Sequence, residues 1–231
     1  MQIGSKEWSD LIIEGAATFD IVLDHSHTDQ FAIHAAELFK WNQKINLTTI
    51  TDPWEVAVKH ILDSLAAARL IPPGKILLDI GSGGGFPGIP LKVLMPSLSV
   101  TLIDASRKKI SFLKHVIRSL KLNSIEALHI RAEDLAADAT YAQSYDVIIS
   151  RALSPLKLLC RLALPLLGDE GVIIALKGDV VNEELNDLQG RGLDDVDDSQ
   201  TVGRQFSLTV EKYNLPFLNS IRSIIIIRRA N

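Results

Sequence analysis

Cysteine is almost missing: the 231 residues contain one, Cys160. A lone cysteine closes no internal disulfide and supplies no thiolate cluster, which excludes a disulfide-stapled secreted fold and a cysteine-built metal site. Long apolar runs are missing too, since none approaches the roughly 18–20 residues that span a bilayer. The stretch from Met1 to Asp10 carries no apolar signal core. These absences predict a cytoplasmic chain with no membrane partner. No metal site is expected. A surplus of positive charge is also lacking. The 24 Lys and Arg residues face 28 Asp and Glu residues, for a net charge of −4, so the chain is no polycation that coats nucleic acid indiscriminately.

What is present is ordinary globular composition, 47% hydrophobic and 23% charged, which argues against disorder. The length suits one large domain, or one domain with a helical extension. Charge is unevenly placed. Arg107, Lys108, Lys109, Lys114, Arg118 and Lys121 fall together without an acid, whereas Glu183 to Asp198 holds seven acids and one Arg. Solvated surface accounts for both stretches. A basic patch facing a phosphate backbone, with the acidic run turned away, accounts for them as well.

The first seventy residues read as helices. Trp8, Leu11, Ile12 and Gly15 stand at helical spacing between about Lys6 and Phe19. Phe31, Ala35, Leu38, Phe39, Asn42 and Ile45 form a second stripe, with Asp29 as its expected cap. Pro53 suits the first turn of a third helix carrying Val56, His60, Ile61 and Ser64. Pro72-Pro73-Gly74 breaks the pattern and sets the expected boundary between an extension, 1–71, and a main domain, 72–231. Beyond it, strands at Lys75–Ile80, Ser99–Ile103, Ile125–Ile130, Tyr145–Ser150 and Gly171–Leu176 alternate with helices at about Pro87–Met95, Arg107–Leu120 and Pro155–Leu164. Strand–helix alternation with near-continuous apolar strands implies an α/β fold, a mostly parallel sheet covered on both faces. Its strand C-termini then share one edge, where ligands bind at the switch point. Phe206–Val210 and Ser223–Ile227, joined through Pro216, predict an antiparallel edge pair.

The segment Leu77-Leu-Asp79-Ile-Gly81-Ser-Gly83-Gly-Gly85-Phe-Pro-Gly88 falls where the first strand turns into a helix. Glycines there let the backbone turn sharply and approach a ligand without a Cβ clash. No Gly-Lys-Ser/Thr follows, so a phosphate-gripping P-loop is excluded. Phe86 stands where a dinucleotide fingerprint requires Gly or Ala. Asp79 repels a pyrophosphate but suits a ligand bearing an ammonium and a sulfonium, which points to S-adenosyl-L-methionine. Asp104, ending the second strand, is placed for ribose hydroxyls. The blander roles are backbone satisfaction for Asp79 and helix capping for Asp104.

Four segments together resemble the bacterial 16S rRNA guanine-N7 methyltransferases, the glucose-inhibited division protein B family. They are Trp41-Asn-Gln-Lys-Ile-Asn-Leu-Thr48, His60-Ile-Leu-Asp-Ser-Leu65, Asp79-Ile-Gly-Ser-Gly-Gly-Gly-Phe-Pro-Gly-Ile-Pro-Leu91, and Ile149-Ser-Arg-Ala152 with Ala175-Leu-Lys-Gly178. The resemblance implies a class I, Rossmann-like methyltransferase with an N-terminal helical cap. The implied reaction is S-adenosyl-L-methionine-dependent methylation of a guanine in the 530 loop of 16S rRNA. The implied partner is that rRNA or the small ribosomal subunit; separately, nothing in the sequence demands more than a monomer, which is the expected state. Gly81, Gly83 and Phe86 match cofactor-contacting loop positions. Asp104, Ala105 and Ser106 match the segment around ribose and adenine, and Ala132 and Glu133 the pair beside the adenine. Arg151 matches the arginine at the active-site mouth, with a role in cofactor binding or substrate orientation. Gly84 stands where relatives often carry Ala or Pro.

The chemistry agrees with this assignment. Guanine N7 carries no proton, so its attack on a sulfonium methyl requires positioning rather than a general base. The fourth strand ends in Ser150-Arg151-Ala152, not the Asn/Asp-Pro-Pro-Tyr/Phe of amino-group methylases, and Cys160 sits in the apolar run Leu158–Leu164, as a structural thiol does. His60 and Asp63, one turn apart, fit a helix-surface pair or a cleft lining equally, and Asn46–Thr48 reads as a helix-ending turn. A small-molecule methyltransferase, a nicotinamide-dependent oxidoreductase and a non-catalytic RNA-binding protein stay open as alternatives.

Overall fold

The computed structural model describes residues 1–151, 155–178 and 206–229. Ala152 and the acidic run from Glu183 to Asp198 lie outside the described residues. The Ser5 hydroxyl accepts a hydrogen bond from Trp8 N and caps α1 (Lys6–Ala17), which buries Trp8, Ile12 and Ala16. Helix α2 (His25–Asn42) starts one turn before the expected Asp29. Asp24 caps it instead, because its carboxylate accepts from His27 N while the His27 ring reaches back to the Asp24 N–H. The usual Glu or Gln of that reciprocal cap is absent, so the sequence rule passes over it. Pro53 opens α3 (Pro53–Glu55), which runs through a π-helical stretch (Val56–Leu62) into α4 (Asp63–Leu65). The π stretch buries six of its seven residues, the signature of a helix enclosed on nearly all sides.

After the break at Pro72 and Pro73 the chain alternates as expected: β1 (Ile76–Ile80), α5 (Gly88–Leu94), β2 (Ser99–Asp104), α6 (Arg107–Ser119) and β3 (Ile125–His129). Then follow α7 (Ala132–Ala137), β4 (Tyr145–Ser150), α8 (Leu156–Ala163), β5 (Leu167–Lys177), β6 (Phe206–Leu215) and β7 (Ser220–Arg229). The seven strands form one sheet in the order β3-β2-β1-β4-β5-β7-β6. Strands β1 to β5 are parallel, and the hairpin β6–β7 joins β5 antiparallel. The edge pair is longer than its apolar runs suggest, because Glu211 to Leu215 continue the ladder opposite Ile224 to Ser220.

Alternation along the strands divides the core. Leu77, Val100, Leu102, Val147 and Ile149 face the N-terminal helices together with α5 and α6. Leu78, Ile80, Ile103 and Ile148 face α7 and α8. The extension thus shares a continuous apolar cluster with one face of the sheet. Among the described residues no helix is long and apolar enough to cross a membrane.

Candidate functional site

The order of strands reverses between β1 and β4, and the residues selected from sequence gather along the edge this reversal opens. Gly81 and Gly83 follow β1. Asp104 to Ser106 follow β2, Ala132 and Glu133 open α7 beyond β3, and Arg151 follows β4. A parallel sheet brings these four connections side by side, although seventy residues separate the first from the last.

Gly81 (φ +75°) and Gly83 (φ +54°) hold left-handed conformations that favour glycine. A Cβ on Gly81 meets nothing within 4 Å, and one on Gly83 meets only the Gly81 carbonyl at 3.8 Å. These two therefore border open space. Gly88 is closed, because its Cβ would lie 2.4 Å from Leu102 Cδ2 and 2.8 Å from Asp79 Oδ2. The loop is tied to its neighbour strand, Gly81 N and Ser82 N both donating to Ile103 O at 3.0 Å. Asp104 accepts from Gly83 N at 3.2 Å through Oδ2 and from Ser106 N at 2.8 Å through Oδ1, with Lys109 Nζ at 3.7 Å. It thus supports both the glycine loop and the entry to α6, and each carboxylate oxygen keeps lone-pair capacity.

Asp79 differs from its expected role. It is fully buried, its Oδ2 accepting from Gly88 N at 3.0 Å and its Oδ1 unpartnered among the described residues. Burial pushes its carboxyl pKa up to about 7. It braces the loop from inside rather than presenting charge to a ligand's ammonium.

Phe86 is also enclosed, 5% exposed. Its ring stacks on His34 and on His60, with centroids 4.6 and 4.5 Å away, and the Arg151 guanidinium lies 5.3 Å from its centre. Arg151 itself is locked. Nη1 donates to Lys59 O and Nη2 to His60 Nδ1, both at 3.0 Å, and Asp63 Oδ2 lies 3.8 Å away. Because a guanidinium only donates, His60 Nδ1 is an acceptor and its proton sits on Nε2, 2.8 Å from Thr48 Oγ1. Burial and the neighbouring Arg151 push the His60 pKa down to about 3, so the neutral imidazole this bond requires persists. His34 Nε2 donates to Gly84 O at 2.7 Å, and burial pushes its pKa down to about 4.

His60 and Asp63 are thus cradle residues rather than a surface pair. Asp63 also accepts from Tyr213 Oη at 2.7 Å and lies 3.8 Å from Arg222 Nε. Sequence reasoning missed His34, Thr48, Tyr213 and Arg222. For His34 a signal existed, a histidine on the apolar stripe of Phe31 and Leu38. For Thr48 the signal is Asn42, whose Oδ1 accepts from Leu47 N and Thr48 N and whose Nδ2 donates to Thr48 O. Tyr213 and Arg222 carry no local signal.

Of the remaining candidates, Ala105 is exposed and its carbonyl accepts from His129 Nε2 at 3.1 Å. Glu133 is exposed and Ala132 half-buried. Beside Arg151, at the ends of β4 and β5, opens a cavity of about 230 Å³ lined by Lys59, His60, Asp63, Arg151, Lys177 and Arg222, among others. Cys160 is far from such use: it is wholly buried in α8, and burial pushes its thiol up to about 12.

The chain matches the model of the rRNA small subunit methyltransferase G family over residues 27–202. The chain belongs to that family. Ribosomal RNA small subunit methyltransferase G of Geobacter metallireducens is 41% identical over 226 residues, covering 98% of each chain. The protein of that name from Thermoanaerobacter sp. (strain X514) is 39% identical over 225 residues, covering 95% of this chain and 89% of its own. Among solved structures, M. jannaschii TYW2 in complex with AdoMet aligns with a TM-score of 0.52 at 15% identity, covering 81% of this chain and 78% of its own. P. horikoshii TYW2 in complex with MeSAdo gives 0.52 at 14%, covering 74% and 62%. At such identity these two establish the fold, a Rossmann-like methyltransferase sheet.

Proposed function

We propose that the chain transfers a methyl group from S-adenosyl-L-methionine to N7 of a guanine in the 530 loop of 16S rRNA, acting on that rRNA or on the small ribosomal subunit as a monomer. The observation that carries this reading is an open glycine cradle beside a pocket whose titratable groups are already engaged. The space above Gly81 and Gly83 fits the aminoacyl end of the cofactor, and the remaining lone pairs of Asp104 fit its ribose hydroxyls. Ala105 and Ser106 on one side, and Ala132 and Glu133 on the other, flank the place an adenine would take. When bound, the cofactor supplies an electrophilic methyl on a sulfonium.

Everything else asked of the protein is placement. N7 attacks with a lone pair and releases no proton, so no base is needed. The pocket is built accordingly: both His60 nitrogens are hydrogen-bonded and Asp63 is taken by Tyr213, which leaves neither poised as a base. Arg151, fixed at two donor atoms, can present its remaining N–H groups to a guanine O6 edge. Holding donor and acceptor in line supplies several kcal/mol of the barrier reduction.

The test is direct. Unmethylated small-subunit rRNA is incubated with the protein and S-adenosyl-L-methionine, then treated with borohydride and aniline, which cut at 7-methylguanine. A new cut in the 530 loop is expected. Methyl transfer with no cut there overturns the assigned position, and tight binding of NAD in calorimetry with no binding of S-adenosylhomocysteine overturns the cofactor.

A further inference from the structure

Helix α6 begins directly after Asp104–Ser106, at the edge that carries the site. One side of it is apolar and closed, with Ile110, Phe112, Leu113 and Val116 buried against the sheet and α2. The other side is cationic. Arg107, Lys108, Lys114 and Arg118 are exposed, and Lys121 follows just past the helix end, exposed as well. Arg107, Lys114 and Arg118 fall at intervals of seven and four residues, which keeps them on one stripe that spans about 16 Å along the helix. Lys109, on the adjoining side, is paired with Asp104. The side chains of the other five make no ion pair or hydrogen bond among the described residues. Five cations on one helix and its end, three of them on a single stripe and none paired among the described residues, stand out on a chain whose net charge is −4.

We infer that this stripe is a docking track for the phosphodiester backbone of the RNA, leading the strand to the site from the α6 side. The inference rests on the rRNA reading above. Charge complementarity selects the occupant: an exposed stripe of cations with no partner among the described residues suits a chain of phosphates. A lipid surface fits less well, because the apolar side such a helix would insert is already buried in the core. Phosphate contacts of this kind set register and affinity while the base pocket sets specificity.

The track is tested with a triple variant, Lys114→Gln, Arg118→Gln and Lys121→Gln. All three positions are exposed, and a thermal midpoint matching that of the wild type certifies the fold. Affinity for small-subunit rRNA at moderate salt is expected to fall at least tenfold. The slope of log affinity against log salt is expected to flatten by about 2, or about 0.7 for each lost contact to single-stranded RNA. Binding of S-adenosylhomocysteine and turnover at saturating RNA stay at wild-type values. Unchanged RNA affinity and salt slope overturn the track. So does a variant that loses binding only to vesicles containing phosphatidylserine. The two readings separate cleanly: wild-type protein that binds rRNA through the stripe but transfers no methyl upholds the track and rejects the methylation, and methylation with an unaltered salt slope does the reverse.

Discussion

Arg151 shows how little freedom a single residue keeps in this site. Two of its N–H groups are committed to Lys59 O and His60 Nδ1, a pair of acceptors that only a planar fork spans. Lys would supply the charge without the geometry. Arg151→Lys is therefore expected to lower kcat/KM by about 100-fold, the cost of roughly an ångström of misplacement, with the circular dichroism spectrum unchanged. Wild-type kcat/KM in that variant removes Arg151 from the mechanism. Gly81 is constrained differently. Its φ of +75° disfavours any L side chain, and its missing Cβ faces open space. Gly81→Val thus puts a branched side chain into the proposed cofactor cradle at a backbone cost of about 1–2 kcal/mol. Calorimetry is expected to show no S-adenosylhomocysteine binding to a protein that still unfolds cooperatively. Retained binding places the cofactor elsewhere.

Elements were legible in sequence where a local pattern determines them. Strand β4 needs only its apolar run, the glycine loop its glycines and the missing P-loop lysine, and α3 its proline. The misses have physical reasons. Helix α7 is two turns of Ala, Glu, Asp and Leu that only tertiary packing distinguishes from a loop. The start of β5 is hidden because Gly168 to Gly171 reads as a turn, yet Leu167 pairs with Tyr145 across an irregular register. The backbone half of the site, from Gly81 to Arg151, follows from knowing where parallel strands end. The cradle behind it does not, since Thr48, His60, Arg151 and Tyr213 meet across separations of up to 165 residues, set by how the extension and the hairpin pack. The segment after α2 makes the point. Asn42 ties it back to the helix end, through bonds of 2.8 to 3.1 Å to Leu47 and Thr48. Asn42→Ala is expected to cost about 2–3 kcal/mol in urea unfolding, since it strands two backbone N–H groups, and to loosen Arg151 through Thr48 and His60. An unaltered midpoint and kcat would mean that the segment holds its shape without Asn42.

Across the whole molecule, the helical extension and the sheet are joined at two buried imidazoles, and this makes stability depend on pH in a defined direction. Burial pushes His34 down to about 4 and His60 down to about 3, from an ordinary value of 6.5. A base whose pKa is depressed by folding contributes in full above 6.5, and that contribution is lost as pH falls toward the folded value. Asp79 acts in the opposite sense. Raised to about 7 from 3.8, it weakens the fold at neutral pH and gives that stability back as pH falls. Between pH 6.5 and 4.5 each group is worth about 2–3 kcal/mol, so two histidines against one aspartate leave a net loss of about 2–3 kcal/mol. His34→Gln isolates one contribution, because the amide can still donate to Gly84 O but does not titrate. Urea unfolding of both proteins at the two pH values is expected to show the wild type losing about 2–3 kcal/mol relative to the variant on acidification. A difference that stays constant with pH would show that His34 meets solvent, and that the junction between extension and glycine loop opens in solution.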